Sequence, residues 1–282
     1  MLFDNQELKR LGRYHILLLI VVASFALRMY LRSSYLDDWD SVQFVLALEN
    51  YSIVAHQPHP PGYPVYIFLG RIFDVFFDDG LRTFTSMSAF FGSLSLIPVY
   101  LIAEKFFGDR EGLLAAVLLS LTPAHLLFSE VVMTDIVSLF FTTSTVYLLY
   151  LGTRSTKHLY LASLMMGLTI GIRWTDVLLV PLFLIVLLYR RQLKDCVASA
   201  SIALVGMGLW LIPVISDTGF DAFIAIQEAQ WTSASGGSTL SSLGGLSLHN
   251  LLTTLRVMIA LFVDGWSQVF IIFILMALVV ML

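Results

Sequence analysis

The chain predicts an all-α fold, a polytopic bundle of membrane helices. Of its 282 residues, 58% are hydrophobic and 13% charged, against about 25% charged in soluble domains. The apolar residues gather into runs near the length that crosses a bilayer, about 20 residues per helix. Basic residues cluster in the short segments between those runs, as the positive-inside pattern requires.

The first run, 14–31, has no small-residue cleavage site behind it and is expected to stay as a helix. Further spans are predicted over 83–103, 113–128, 136–151, 159–172, 177–189, 197–215 and 266–282. The run 251–263 is shorter and reads as part of a span or a re-entrant piece. The run 269–282 ends without a charged flank, which is expected of a piece of a longer protein.

Lys9, Arg10 and Arg13 put the N-terminus in the cytoplasm. The clusters at 104–110, at Arg154 and Lys157, and at Arg190, Arg191 and Lys194 follow at intervals of two spans, so all belong to that face. The outer face then receives 37–64, the turn from Glu130 to Asp135, the turn at Arg173 and a loop over 216–250. This parity leaves no room for 62–77 to cross. Arg71, Asp74, Asp78 and Asp79 interrupt that segment, so it is predicted to lie in the outer interface. A short amphipathic helix is expected over 40–50. The stretch TSASGGSTLSSLGG makes 216–250 read as a flexible Gly/Ser-rich loop. The expected organisation is a core over 1–215, with an outer catalytic loop at 34–64 and an interfacial segment at 61–79. The loop 216–250 and further membrane helices over 251–282 follow.

Net charge is −4, which argues against a nucleic-acid partner. Cys196 is the single cysteine, so no intramolecular disulfide can form. The informative stretch is LDDWDSVQFVLALENYSIVAHQPHPPGYP, residues 36–64. Acids near lipid are expensive and mark function, and parity gathers Asp37, Asp38, Asp40, His56, His59, Glu130, Asp135 and Arg173 onto one face. Arg173 breaks the positive-inside bias and needs an anionic partner, either a carboxylate or a phosphate. Acids beside a phosphate-binding arginine suit general-base attack with a phosphate leaving group. The bland readings are specific too. Asp40 could be a helix N-cap, Asp37 and Asp38 a solvated loop, Arg173 a structural ion pair, and His125 a packed polar residue.

The motif D-S-x-x-F at 40–44, followed by HPPGYP at 59–64, resembles the first outer loop of the GT-C membrane glycosyltransferases. The closest type is the dolichyl-phosphate-mannose protein mannosyltransferase and aminoarabinose transferase group. The stretches FFGSLSLIPVYLIAEKFFGDREGLLAAVLLSLTPAHLLFSEVVMTD and GLTIGIRWTDVLLVPLF are similar to later helices of the same family, so the resemblance covers 14–215. It implies a core of about seven helices with interfacial helices in the first outer loop. It implies transfer of a sugar from a polyprenyl- or dolichyl-phosphate donor to a lipid, glycan or protein acceptor, within reach of membrane lipids. The family's catalytic aspartate falls on Asp40, with Asp37 and Asp38 as alternatives because Ser41 replaces the family's adjacent acid. The family's lysine before the proline pair is His59, a candidate for the lipid phosphate with Arg173; Glu130, Asp135 and His56 complete the candidate substrate site. Some members use a divalent cation, Mg or Mn, which Asp40, Glu130 or Asp135 could bridge, although no compact metal-ligand spacing is present. The rival readings are a transporter or lipid flippase, which predicts charges at helix midpoints and inverted repeats, and a non-catalytic membrane scaffold.

Overall fold

The computed structural model describes residues 5–236, with Leu252 and Arg256 beyond them. The expected spans over 251–263 and 266–282, and His249 and Asp264, lie outside the described residues. Within them every regular element is a helix, apart from one isolated bridge between Ser52 and Gln57.

The chain runs as α1 (Asn5–Leu31), α2 (Trp39–Glu49), α3 (Pro64–Asp74), α4 (Gly80–Leu94), α5 (Leu96–Phe107), α6 (Asp109–Leu121), α7 (Pro123–Phe128), α8 (Asp135–Gly152) and α9 (Thr156–Ile172). A 3-10 turn (Trp174–Leu179) then leads into α10 (Val180–Arg190), α11 (Leu193–Thr218) and α12 (Phe220–Gly236). Among the described residues, four stretches are long and apolar enough to cross a membrane: Gly12–Leu31, Gly80–Phe107, Asp135–Gly152 and Leu193–Thr218. The other passages are broken by proline or run shorter. Pro123 separates α6 from α7 because it has no N–H and disfavours a helical residue before it. Pro98 likewise leaves the Leu94 carbonyl without its helical donor, and the chain bends between α4 and α5 at Ser95.

The passages share two ends. At one, Arg13 pairs with Asp109, and Arg190 pairs with Asp195. Thr156 receives a bond from Arg190 at 2.6 Å. The basic clusters 104–110, 154–157 and 190–194 therefore sit together. At the other end the Ser33 N–H donates to the Glu130 carbonyl at 2.9 Å, Ser88 Oγ donates to the Val131 carbonyl at 2.8 Å, and Arg173 pairs with Asp135.

At that second end lie α2 and α3. With 11 residues, α3 is about 16 Å long, too short for a core of about 30 Å. It buries Val65, Tyr66, Ile67 and Gly70 and exposes Phe68 and Ile72. One core joins Phe44 and Ala47 of α2 and Tyr66 and Ile67 of α3 to Phe84, Met87 and Phe91 of α4, Ile136 and Val137 of α8 and Ile172 of α9. The loop helices are thus seated on the bundle, not appended to it.

The loop expected over 216–250 needs correction. The chain is helical through Thr218, turns at Gly219 with φ 83°, and continues as α12 to Gly236. Residues 221–230 are rich in alanine, glutamine and glutamate and hold no glycine or proline, so they favour helix; the Gly/Ser composition begins only after them.

A buried polar network ties α1 to the bundle. Arg28, with no exposed surface, contacts Ser24 Oγ, the Ser120 carbonyl at 3.1 Å and His125 Nδ1 at 2.8 Å. Guanidinium can only donate, so His125 Nδ1 accepts and its Nε2–H donates to Ser95 Oγ at 2.8 Å. His125 is the packed polar residue that its apolar helix implied.

Candidate active site

The loop between α1 and α3 is built by capping and by turns of unusual backbone. The Asp38 carboxylate accepts from the Asp40 N–H at 3.1 Å, and the Asp38 N–H donates to Ser41 Oγ at 3.2 Å, which closes a capping box on α2. Asp38 is therefore the N-cap, the role Asp40 could also have filled. Ser41, where the family has a second acid, is buried and spent on the cap. Asp37 is exposed and makes no hydrogen bond or ion pair among the described residues.

Asp40, one residue into α2, is left free of capping. Its side chain is 39% exposed, and its Oδ1 lies 3.4 Å from His59 Nδ1. Gln43 Oε1 sits 2.9 Å from the same Nδ1 and 2.9 Å from the His59 main-chain N–H. His59 Nε2 lies 2.9 Å from the Tyr63 hydroxyl. Phe44 packs its ring on both His59 and Tyr63. Burial pushes the His59 imidazole down from its ordinary value, against the opposite pull of Asp40, so it is neutral at pH 7.

Tyr63 holds a left-handed conformation at φ 45°, uncommon for a bulky residue. Before it, Gly62 has φ 101°, and a Cβ there would meet Ile53 and the Tyr51 hydroxyl at 2.6 Å. This turn brings the Tyr63 phenol to 2.9 Å from His59 Nε2. Burial first, then Asp40 and Asp135, raise its pKa to about 12, while Arg173 opposes them. Tyr63 thus senses Asp40 as well as the Asp135–Arg173 pair. Asp176, three residues past Arg173, accepts from Ser138 Oγ at 2.7 Å and also interacts with Arg173.

The structure brings Asp40, His59, Asp135 and Arg173 together and leaves others apart. His56 is exposed in a turn at φ 54°, where it acts on His59 only electrostatically. Glu130 interacts electrostatically with Arg28 of α1, and its Oε1 is buried without a hydrogen-bond partner. Burial pushes the Glu130 carboxyl up, more than Arg28 pulls it down. An acid raised on folding adds stability below its unfolded pKa and loses it as pH rises through the folded one. Thermal stability should therefore contain a component that falls with rising pH just above the ordinary carboxylate range. Glu130→Gln is expected to flatten that component; an unchanged Tm–pH curve would remove Glu130 from the account.

Tyr63, Gln43 and Asp176 escaped the sequence reading. Only Asp176 carried a signal there, as an acid beside Arg173 in an apolar hairpin. Among the described residues no three His, Cys, Asp or Glu side chains converge on a point that a metal could occupy. Asp135 is engaged by Arg173, and Asp40 lies 3.4 Å from His59.

Directly after Tyr63, Pro64 and Val65 begin the wall of a groove of about 850 Å³. Phe68 of α3, Leu168 of α9 and Leu209, Trp210, Pro213 and Val214 of α11 line it, with Tyr51, Arg71 and Asp217 as its polar residues. Arg71 donates to the Leu48 and Ala47 carbonyls at 3.2 Å and so completes the C-terminal end of α2.

No curated protein matches the chain. The structure is similar to the Archaeoglobus fulgidus oligosaccharyltransferase crystallised with zinc and sulfate, with TM-score 0.50 and 15% identity over 90% of this chain. The chain spans about half of that protein, 46% of its length. At this identity the likeness speaks for the fold alone, a bundle of membrane helices. The family model described as dolichyl-phosphate-mannose-protein mannosyltransferase matches residues 58–217. That match runs from the proline-rich part of the outer loop to the end of α11, more than half of the chain, and the chain accordingly belongs to the dolichyl-phosphate-mannose-protein mannosyltransferase family.

Proposed function

We propose that this membrane glycosyltransferase moves a sugar from a polyprenyl- or dolichyl-phosphate donor to an acceptor at the extracytoplasmic face, with Asp40 as general base. The observation that carries this reading is a half-open carboxylate 3.4 Å from an anchored histidine, with Arg173 acting on the same Tyr63 and an apolar groove beginning directly after it. Asp38 is spent on a helix cap and Asp37 has no orienting partner, which favours Asp40 among the three. The family description supports mannose as the sugar. The basic clusters at the opposite end support an extracytoplasmic site.

Asp40 Oδ1 is held by His59, so Oδ2 takes the proton from the acceptor hydroxyl or amine. The freed electron pair attacks C1 of the sugar as the C1–O bond to phosphate breaks. The phosphate leaves with that electron pair, and C1 is inverted. Arg173 at the far side of Tyr63 offsets the growing phosphate charge. The proton passes from Asp40 to water. The groove takes the first isoprene units of the tail. The transporter reading gains nothing from the site, where the charges pair at one end of the bundle.

The test is transfer of labelled sugar in membranes, from polyprenyl-phosphate sugars beside nucleotide sugars. Transfer from the lipid-phosphate donors alone is expected. In the same assay Leu168→Trp should fill the groove. Displacing about two methylenes costs about 1.6 kcal/mol, so KM for a long-tailed donor should rise roughly tenfold with kcat retained, and KM for a short-tailed donor should not change. Transfer from nucleotide sugars alone would end the reading.

A further inference from the structure

Gln43 Oε1 stands 2.9 Å from two nitrogens of His59, the main-chain N and the ring Nδ1. A main-chain N–H can only donate, so the Gln43 atom facing it must be the oxygen, and the amide orientation follows from chemistry alone. An acceptor oxygen at 2.9 Å from Nδ1 requires a proton on Nδ1. Neutral imidazole then has a bare Nε2, and the Tyr63 hydroxyl 2.9 Å away must donate to it. Nδ1 also lies 3.4 Å from Asp40 Oδ1, a longer contact than its bond to Gln43. Every polar atom of the ring has a protein partner.

Resting on the reading of Asp40 as the base, we propose that Gln43, His59 and Tyr63 form a hydrogen-bonded strut that fixes the Asp40 carboxylate. His59 is then a positioning residue, acting through Nδ1–H, and not a ligand of the donor phosphate. Two consequences follow from the proton count. Nδ1 already carries a hydrogen, so His59 does not receive the proton that Asp40 removes. Neither ring nitrogen keeps a free donor for phosphate, so that work falls to Arg173. The groups facing this ring are Asp40 and Asp38 from α2, His56 from the loop and Tyr63 at the head of α3. Arg173 and Asp135 act on Tyr63 in turn. The strut also explains why a tyrosine occupies a left-handed position. Only the turn at Gly62 and Tyr63 brings the phenol back to a histidine four residues earlier, and stored backbone strain of this kind collects at functional sites.

The experiment has a structural and a kinetic arm, both on the full chain in detergent micelles. With 15N-labelled histidine, the His59 signals are identified by their loss in His59→Asn. The expected pattern at pH 7 is a protonated Nδ1 and a bare Nε2, the minority tautomer of free imidazole, with signals that move in Asp40→Asn. In the transfer assay Tyr63→Phe is expected to lower kcat about 3- to 10-fold, the worth of one hydrogen bond, with donor KM within about twofold. His59→Asn retains an N–H near the Nδ1 position and should keep more kcat than His59→Leu. A protonated Nε2, an imidazolium at pH 7, or variants that raise donor KM at unchanged kcat would overturn the strut while transfer itself stands. A wild-type protein that transfers from no lipid-phosphate donor would sink the transferase reading, and with it the strut's purpose, whatever the tautomer.

Discussion

Asp40→Asn is expected to lower transfer on the order of 10²- to 10⁴-fold, the range that a positioned general base contributes. The amide keeps the shape and can still accept the His59 Nδ1–H through its oxygen. It cannot take a proton from the acceptor. Asp38 caps α2 without the Asp40 side chain, so insertion, thermal stability and donor KM should all stay near wild type. The comparison that gives this weight is Asp38→Asn, which leaves a neutral cap in place and should lose far less activity. Equal losses in the two variants would mean that the helix start, not the Asp40 carboxylate, governs the rate. Full activity in Asp40→Asn would move the base to another acid.

The second large effect lies inside the bundle. Helices α9 and α11 approach at Gly167 and Gly206. A Cβ at Gly206 would sit 2.7 Å from the Leu164 carbonyl oxygen and 3.3 Å from Gly167 Cα. These are backbone atoms, which cannot rotate away. Four residues on, Trp210 Nε1–H donates to the Gly167 carbonyl at 2.8 Å. Close approach at small residues is a usual route to helix association in lipid, where no hydrophobic drive between helices exists. Gly206→Leu must push the two helices apart, break the Trp210 bond and open the groove wall that Trp210 forms. Overpacking costs typically about 1–3 kcal/mol, and blocked backbone puts this site toward the upper end. Val205→Leu, next door on an exposed face, is the control and should be neutral. A thermal-unfolding series in detergent decides the matter; equal stability of the two variants would show that the helices can repack without loss.

Much of this architecture was legible because membrane helices announce themselves. Apolar length announced the helices of the bundle, and parity together with the interrupting charges kept 62–77 from being read as a span; α3 there has only 11 residues. The acids of the first loop stood out because acids near lipid are costly, and the resemblance of D-S-x-x-F to the family's outer loop pointed among them to Asp40. What stayed hidden depends on partners far away in sequence. Asp135 and Arg173 pair across 38 residues, and nothing in either local segment names the other. Gln43 reads as the polar side of a short helix, and its role appears only when the chain doubles back through two turns of positive φ. Ser41 read as a departure from an acidic pair, whereas it is half of a cap. The helix α12 was hidden by the Gly/Ser stretch behind it, which outweighed six good helix formers in 221–230 in the reading of composition.

The buried Arg28 has a consequence for how the protein is made. A cation near the end of the first membrane segment costs about 2.5–3.5 kcal/mol on insertion scales when central. Its own helix offers only Ser24. Its hydrogen-bond partners Ser120 and His125 lie 92 and 97 residues downstream, and Glu130, which acts on it electrostatically, follows them. At about 5–20 residues per second, the ribosome reaches them roughly 5–20 seconds after Arg28 is made. During that interval α1 is an unfinished segment with an exposed charge, and the insertion machinery must shelter it or let it sit shallow. Docking of α6 and α7 then completes the Arg28 network, so the first helix made cannot be finished until the middle of the bundle has been synthesised.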